Sequence, residues 1–328
     1  MRSGGAAAAV VGVAGVAGVA GVVVTRSRLR AAPLSRERVS DAESGIARAG
    51  CHDGRMRILL TNDDGIDSIG LHVLARAMRP FGEVVVVAPD REFSGAGAAL
   101  GALHLIQPEV HRAHIEGIDE AWALTGPPAL CVMFARLGAF GGPFDLIVSG
   151  INPGANVGRS VYHSGTVGAA LTGRNGGVSG VAVSQAVSNF GIEGQGWDEM
   201  LVGQQWDTAA AVAAAFVEGL AAAMPAEPVV VNINVPNLPL AQLRGWQHGR
   251  VGQEPPRKMS SAVLEPKEGH DGSFHVRMSW GDAVELPADT DGGLVERDVV
   301  SVTYLSRLAA DARADMGGGE ARLARLLG

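Results

Sequence analysis

Two rhythms of hydrophobic positions alternate along the chain from residue 56 onward. Short unbroken apolar runs, the pattern of strands buried on both faces, recur as "RILLTN" at 57–62, "EVVVVAP" at 83–89, "FDLIVSG" at 144–150, "GVAVS" at 180–184 and "PVVVNINVP" at 228–236. Between them the spacing changes to threes and fours. Leu71, Leu74, Ala75 and Met78 line one face of a helix, a second helix is predicted over 166–174, and a long Ala-rich one over 207–223. The turn at Gly126, Pro127 and Pro128 leads into a further helix that holds Cys131. Strands that alternate with helices and are apolar throughout predict an α/β fold, a parallel sheet covered by helices on both faces. After Pro236 the rhythm is lost. Residues 237–300 are rich in Gly, Pro and charge, and read as loops and hairpins with an arm suited to oligomerisation.

The first fifty-five residues follow neither rhythm. The run "GGAAAAVVGVAGVAGVAGVVV" carries no charge and is long enough to cross a bilayer, with Arg26, Arg28 and Arg30 as its basic flank. Its Gly and Ala content makes it only mildly hydrophobic. We read 1–55 as a low-complexity apolar and polar extension upstream of a natural start at Met56, with a membrane anchor over residues 5–24 as the second reading. The expected division is then 1–55 extension, 56–236 α/β core, and 237–328 a C-terminal hairpin and oligomerisation region with a terminal helix.

Composition narrows the picture. With 47% hydrophobic residues, a formal charge of −7 and a pI near 5.7, the chain has no general basic surface for a nucleic acid polymer or anionic lipid. Two cysteines, Cys51 and Cys131, cannot build a disulfide framework, which favours a reducing, cytoplasmic setting. Cys131 lies in an apolar stretch and is expected to be buried and inert.

Ligands of open parallel sheets collect beyond the carboxyl ends of the strands. Three polar clusters fall there: "NDDG" after the first run, "PDREFSG" after the second, and "SGINPGAN" after the third. Neighbouring strand residues point to opposite faces, so Asp63 and Asp64 converge only where the strand breaks, and Gly65 permits that turn. Two close carboxylates repel unless a cation neutralises them. The oxygen donors Ser94 and Asn152 suit one hard divalent ion, Mg2+ or Mn2+, more than Zn2+. The register Asn62-Asp63-Asp64-Gly65 lacks the first Asp of a haloacid dehalogenase motif. A receiver domain needs an Asp where this chain has Ser149-Gly150. No GxGxxG or Walker loop follows the first run. Asn232 and Asn234 alternate with Val231, Ile233 and Val235, as expected for the polar face of a strand.

Taken together the motifs resemble the SurE family of survival-protein nucleotidases. The match runs through "MRILLTNDDG", "VVVVAPDREFSGAGAAL", "PFDLIVSGINPGANVG", "HSGTVGAALTG", "VVVNINVPNLPL" and "TDGGLVERDVVSVTYL", in family order from Met56 to about Leu305. The resemblance implies a Rossmann-like core with a C-terminal hairpin extension used to build homodimers or homotetramers. It also implies a divalent-metal-dependent 5'-nucleotidase, a phosphomonoesterase acting on nucleoside monophosphates. By motif match Asp63, Asp64, Ser94 and Asn152 are the implied metal ligands, and Asn156, Ser164 and Thr166 lie near the phosphate. Asp63 and Asp64 are the catalytic candidates, with Asp64 expected to take the proton of the attacking water. Departures occur at Phe93 and Gly97, where the family commonly has polar residues, at His163, where it often has Tyr, and at Tyr304, where it has Pro. His163 stands beside the phosphate residues as a candidate general acid. The rival readings are a catalytically idle nucleotide-binding or scaffold protein, and a phosphatase acting mainly on polyphosphate or another phosphomonoester.

Overall fold

The computed structural model describes residues 55–103, 105, 107–188, 199, 201–254, 259–310 and 315–327. The apolar run of residues 5–24, and all of the extension but Arg55, lie outside the described residues. The first apolar run becomes β1 (Met56–Thr61), and Ile58, Leu59 and Leu60 are all fully buried. It lies between β2 (Gly82–Pro89) and β5 (Leu146–Pro153), parallel to both. Successive residues of a strand face opposite ways, which is why an unbroken apolar run needs cover on both sides.

That cover comes from two pairs of helices. On one face α1 (Ile69–Met78) and α4 (Trp206–Ala222) place Leu71, Leu74, Met78, Ala213 and Val217 against Ile58, Leu60, Val86 and Val148. On the other, α2 (Pro128–Arg136) places Leu130, Cys131 and Val132 against Leu59, Val85 and Val87, and Ala169 of α3 (Gly165–Asn175) joins them. Each fully buried Leu contributes roughly 1.5–3 kcal/mol over its exposed state. Cys131 is buried as expected, and burial pushes its thiol well above the usual value, so it stays protonated.

Among the described residues the sheet has nine strands. With β3 (Val110–Arg112), β4 (Glu120–Leu124), β6 (Ser179–Gln185), β7 (Val230–Val235), β8 (Trp246–His248) and β11 (Val300–Tyr304), the order is β3-β4-β2-β1-β5-β6-β7-β11-β8. From β4 to β7 every pairing is parallel, while β3 and β11 each run antiparallel to their inner neighbour. The fold is therefore the expected α/β one, with two differences from the sequence pattern. The short strands β3 and β4 escape it because "VHR" has a single apolar residue and "EAWAL" only four, two of them alanine. β5 runs three residues beyond its apolar core into Ile151, Asn152 and Pro153.

Strand order reverses at β1. The chain moves from β1 to β2 and β4 on one side, and returns to β5, β6 and β7 on the other. This is the topological switch point at which open α/β sheets leave a crevice beyond their carboxyl ends. The third polar cluster is thereby set beside the first.

Past β8 the chain forms a two-stranded antiparallel arm, β9 (Met259–Pro266) and β10 (Phe274–Trp280). Met259, Val263, Leu264, Phe274, Val276 and Met278 on it are each more than half exposed. The short helix α5 (Asp291–Val295) then leads into β11, and α6 (Gly317–Leu327) ends the described chain. Among the described residues no helix is long and apolar enough to cross a membrane.

Candidate active site at the switch point

β1 stops at Thr61, and the next four residues turn sharply. Gly65 takes a φ of +100°, a region that an L side chain rarely enters, and its carbonyl accepts from the Asn62 side chain at 3.0 Å. The Ile66 amide donates to Pro89 O at 2.8 Å, and the Phe93 amide to Asp63 O at 2.7 Å. The loop after β2 is thus stitched to the Asp63-Asp64 turn by backbone bonds.

The two carboxylates have different surroundings. Asp63 is buried and points at the first turn of α3. Its Oδ2 accepts from the Gly165 amide at 3.0 Å and its Oδ1 from the Thr166 hydroxyl at 2.5 Å. Ser164 caps the same helix, its hydroxyl accepting from the Val167 amide. The helix end carries a partial positive charge that favours an anion. Only glycine permits this approach, since a Cβ on Gly165 would lie 2.7 Å from Asp63 Cβ. Burial raises the Asp63 pKa, and the bonds from Thr166 and Gly165 offset part of that rise.

Both oxygens of Asp64 are shielded from solvent, and neither has a hydrogen-bond partner. Its carboxyl is held well above the usual value, first by burial, then by the Asp63 charge and then by Glu92. Asn62 Oδ1 beside it is likewise shielded and unpartnered. A buried carboxylate with no donor costs several kcal/mol in an apolar setting unless a cation compensates it. These orphaned oxygens fit a divalent metal. Among the described residues no three His, Cys, Asp or Glu side chains cluster for a metal, so any cation here draws on neutral oxygens as well. Asn152 spends its amide nitrogen on Gly154 O at 2.6 Å, which leaves the oxygen as its donor atom. Ser94 is exposed, and its hydroxyl bonds the Glu92 carboxylate.

Asn156 is held on the other side of the crevice. Its backbone amide donates to Asn234 Oδ1 at 2.7 Å and its side chain to Ser184 Oγ at 2.8 Å. Its carbonyl accepts from the amides of Asn232 and Asn234 at 2.9 and 3.2 Å. All four residues are buried. Asn232 and Asn234 therefore form an internal clamp, whereas their spacing alone indicates only a polar face. The missed signal is that two asparagines sit in a run too apolar to border water.

The profile of the family described as Survival protein SurE matches residues 58–258. The chain belongs to the SurE family. It is 36% identical over 252 residues to a 5'-nucleotidase SurE of Haemophilus influenzae, covering 76% of this chain and 90% of that one. It is also 36% identical over 250 residues to a 5'/3'-nucleotidase SurE of Salmonella arizonae, with the same coverage. The crystal structure of the SurE protein from Aquifex aeolicus superposes with a TM-score of 0.63 at 28% identity, covering 82% of this chain and 99% of that one.

Within this SurE fold the sequence candidates divide into two groups. Asp63 and Thr166 are in direct contact, Ser164 caps the same helix, and Asp64 lies within the electrostatic reach of Glu92. Ser94 and His163 sit exposed at the rim. The His163 carbonyl, not its ring, makes the local link, accepting from the Gly97 amide at 2.9 Å. Glu92 and Ser184 are contributors that motif reading passes over, because each works only through a contact made in the fold.

Proposed function

We propose that this site hydrolyses nucleoside monophosphates to nucleoside and inorganic phosphate, with one divalent ion, Mg2+ or Mn2+, held by Asp63, Asp64, Ser94 and Asn152. The observation that carries the reading is the Asp64 carboxylate, buried without a donor beside a second carboxylate fixed on a helix end. The names of the Haemophilus and Salmonella relatives supply the substrate class. Bound there, the ion would polarise a phosphoryl oxygen and make water a better nucleophile near neutral pH.

The chain's own residues then divide the work. Asp63, locked by Gly165 and Thr166, sets the position of the acidic turn. Asp64 takes the proton of the attacking water as its oxygen bonds to phosphorus and the ester P–O bond breaks. The Ser164 hydroxyl, which accepts from the Val167 amide and keeps its own proton, and the second N–H of the Asn156 side-chain amide orient the phosphate through neutral donors that do not compete for the cation, while Thr166 acts through Asp63. His163 is the proposed donor of a proton to the leaving alkoxide. Fixing the reacting groups in this way is worth several kcal/mol of barrier.

The arm is proposed to join copies of the chain into a homodimer or homotetramer. A lone hairpin is marginal in water, and six apolar side chains on it lack cover. The cytoplasm is the proposed location, on the strength of cysteine usage. A substrate panel tests the reading: 5'-AMP, 3'-AMP and a short polyphosphate, each with Mn2+, with Mg2+ and with chelator. Metal-dependent phosphate release from a nucleotide supports it. Release from polyphosphate alone would transfer the site to that substrate. Nucleotide binding without release would make the protein an idle binding module.

A further inference from the structure

We infer that Asp291 is a positioning residue for the Asn156 loop, tying that loop to the neck from which the arm projects. The inference rests on the phosphate-side role given to Asn156 above. Asp291 opens α5 and is 1% exposed. Its side chain is fully used. Oδ2 accepts from the Gly158 amide at 2.9 Å, while Oδ1 accepts from the amides of Gly252 and Gly292, each at 2.9 Å. Gly158 is two residues beyond Asn156, and Gly252 lies between β8 and β9, ahead of the arm that begins at Met259.

The neck itself is closed by backbone bonds. The Asp291 amide donates to Arg250 O at 2.8 Å and the Arg250 amide to Asp289 O at 3.1 Å. The Arg250 guanidinium grips the Asp289 carboxylate in a bidentate pair. Two more features join this region to the loop. Arg159 pairs with Glu254 at 3.5 Å, and Gly292 lies so near Val157 that an added Cβ would stand 3.2 Å from its side chain. The segment 156–159 is thus clamped from both sides, by Ser184, Asn232 and Asn234 at Asn156, and by Asp291 at Gly158. A single carboxylate that accepts from both the loop at Gly158 and the neck at Gly252 makes the placement of one depend on the other.

Loosening this clamp removes no contact of Asp63, Asp64 or Thr166, and reaches α3 only through the Ser160 carbonyl that accepts from the Ser164 amide. Its cost falls on ordering Asn156 around the phosphate, and so on KM more than on kcat. The test compares the full chain with Asp291→Asn, which keeps the shape but loses one acceptor, and with Asp289→Asn, an exposed neck variant that does not contact the loop. Two readouts are used: hydrogen exchange of the peptide covering 156–160, and KM and kcat for AMP. Asp291→Asn is expected to speed exchange there about tenfold or more and to raise KM about tenfold, with kcat changed by less than about threefold. Asp289→Asn is expected to leave both readouts near wild type. Unchanged exchange in Asp291→Asn would overturn the inference, as would a fall in kcat at constant KM or an equal effect from Asp289→Asn. If the wild type released no phosphate, the proposed function would fail, and the exchange readout would still decide whether Asp291 holds the loop.

Discussion

At the residue scale, Asp64 sets function against stability. Its carboxyl is raised above the ordinary 3.8 by burial, by Asp63 and by Glu92. A carboxyl whose folded pKa lies above its unfolded value contributes stability that is fully present below the unfolded value and is lost as pH rises through the folded one. The metal-free protein is therefore expected to lose melting temperature as pH rises above the ordinary carboxyl value, and Asp64→Asn to flatten that slope. At pH 7.5 in chelator the variant should melt a few degrees higher, about the shift that ~1 kcal/mol produces in a domain of this size. Thermal melts of both proteins across that range check the sign. Adding Mn2+ should stabilise the wild type and not the variant, because a ligand that binds only the native state raises its stability. The pairing of Asp63 with Asp64 was legible in the sequence, since carboxylates side by side at a strand end carry a cost in any fold. Their division of labour was not. It depends on α3 pointing its first turn at Asp63 alone, a fact of packing.

The controlling element is the start of α3. Gly165→Ala would push a methyl against the Asp63 side chain, with its Cβ 2.7 Å from Asp63 Cβ. Relief requires the helix or the acidic turn to shift, at roughly 1–3 kcal/mol. The expected result is a kcat/KM at least about tenfold lower with a modest loss of melting temperature, read from AMP kinetics beside a melt. Across the crevice, Asn234→Ala leaves the buried Asn156 amide without its acceptor. About 1–3 kcal/mol of stability should go with it, measurable by urea denaturation at unchanged m-value. The helices and central strands were readable from periodicity because their apolar positions face a core on known sides. The role of Asn232 and Asn234 was hidden for a topological reason. β7 becomes an interior strand only because β11, sixty-five residues later, pairs antiparallel along its outer side. No local pattern carries that information.

For the whole molecule, the family profile and the superposition with the Aquifex protein account for the core, while the arm carries the proposed contact between copies. Replacing residues 259–280 by a short turn should reduce the solution mass from that of an oligomer, as measured by light scattering. An unchanged mass would place the interface elsewhere. The sequence showed that this region departs from the core rhythm, but not that β8 and β11 on either side of the arm return to the main sheet. That return depends on pairing between distant segments. The central claim concerns the carboxylate pair, and the measurement that tests it most directly is inorganic phosphate release from AMP by residues 56–328, with Mn2+ or Mg2+ and with chelator, beside Asp64→Asn. The account predicts release that requires the metal and falls by about a thousandfold or more in a variant that still folds. Equal release in chelator, or an Asp64→Asn variant as active as the wild type, would contradict it.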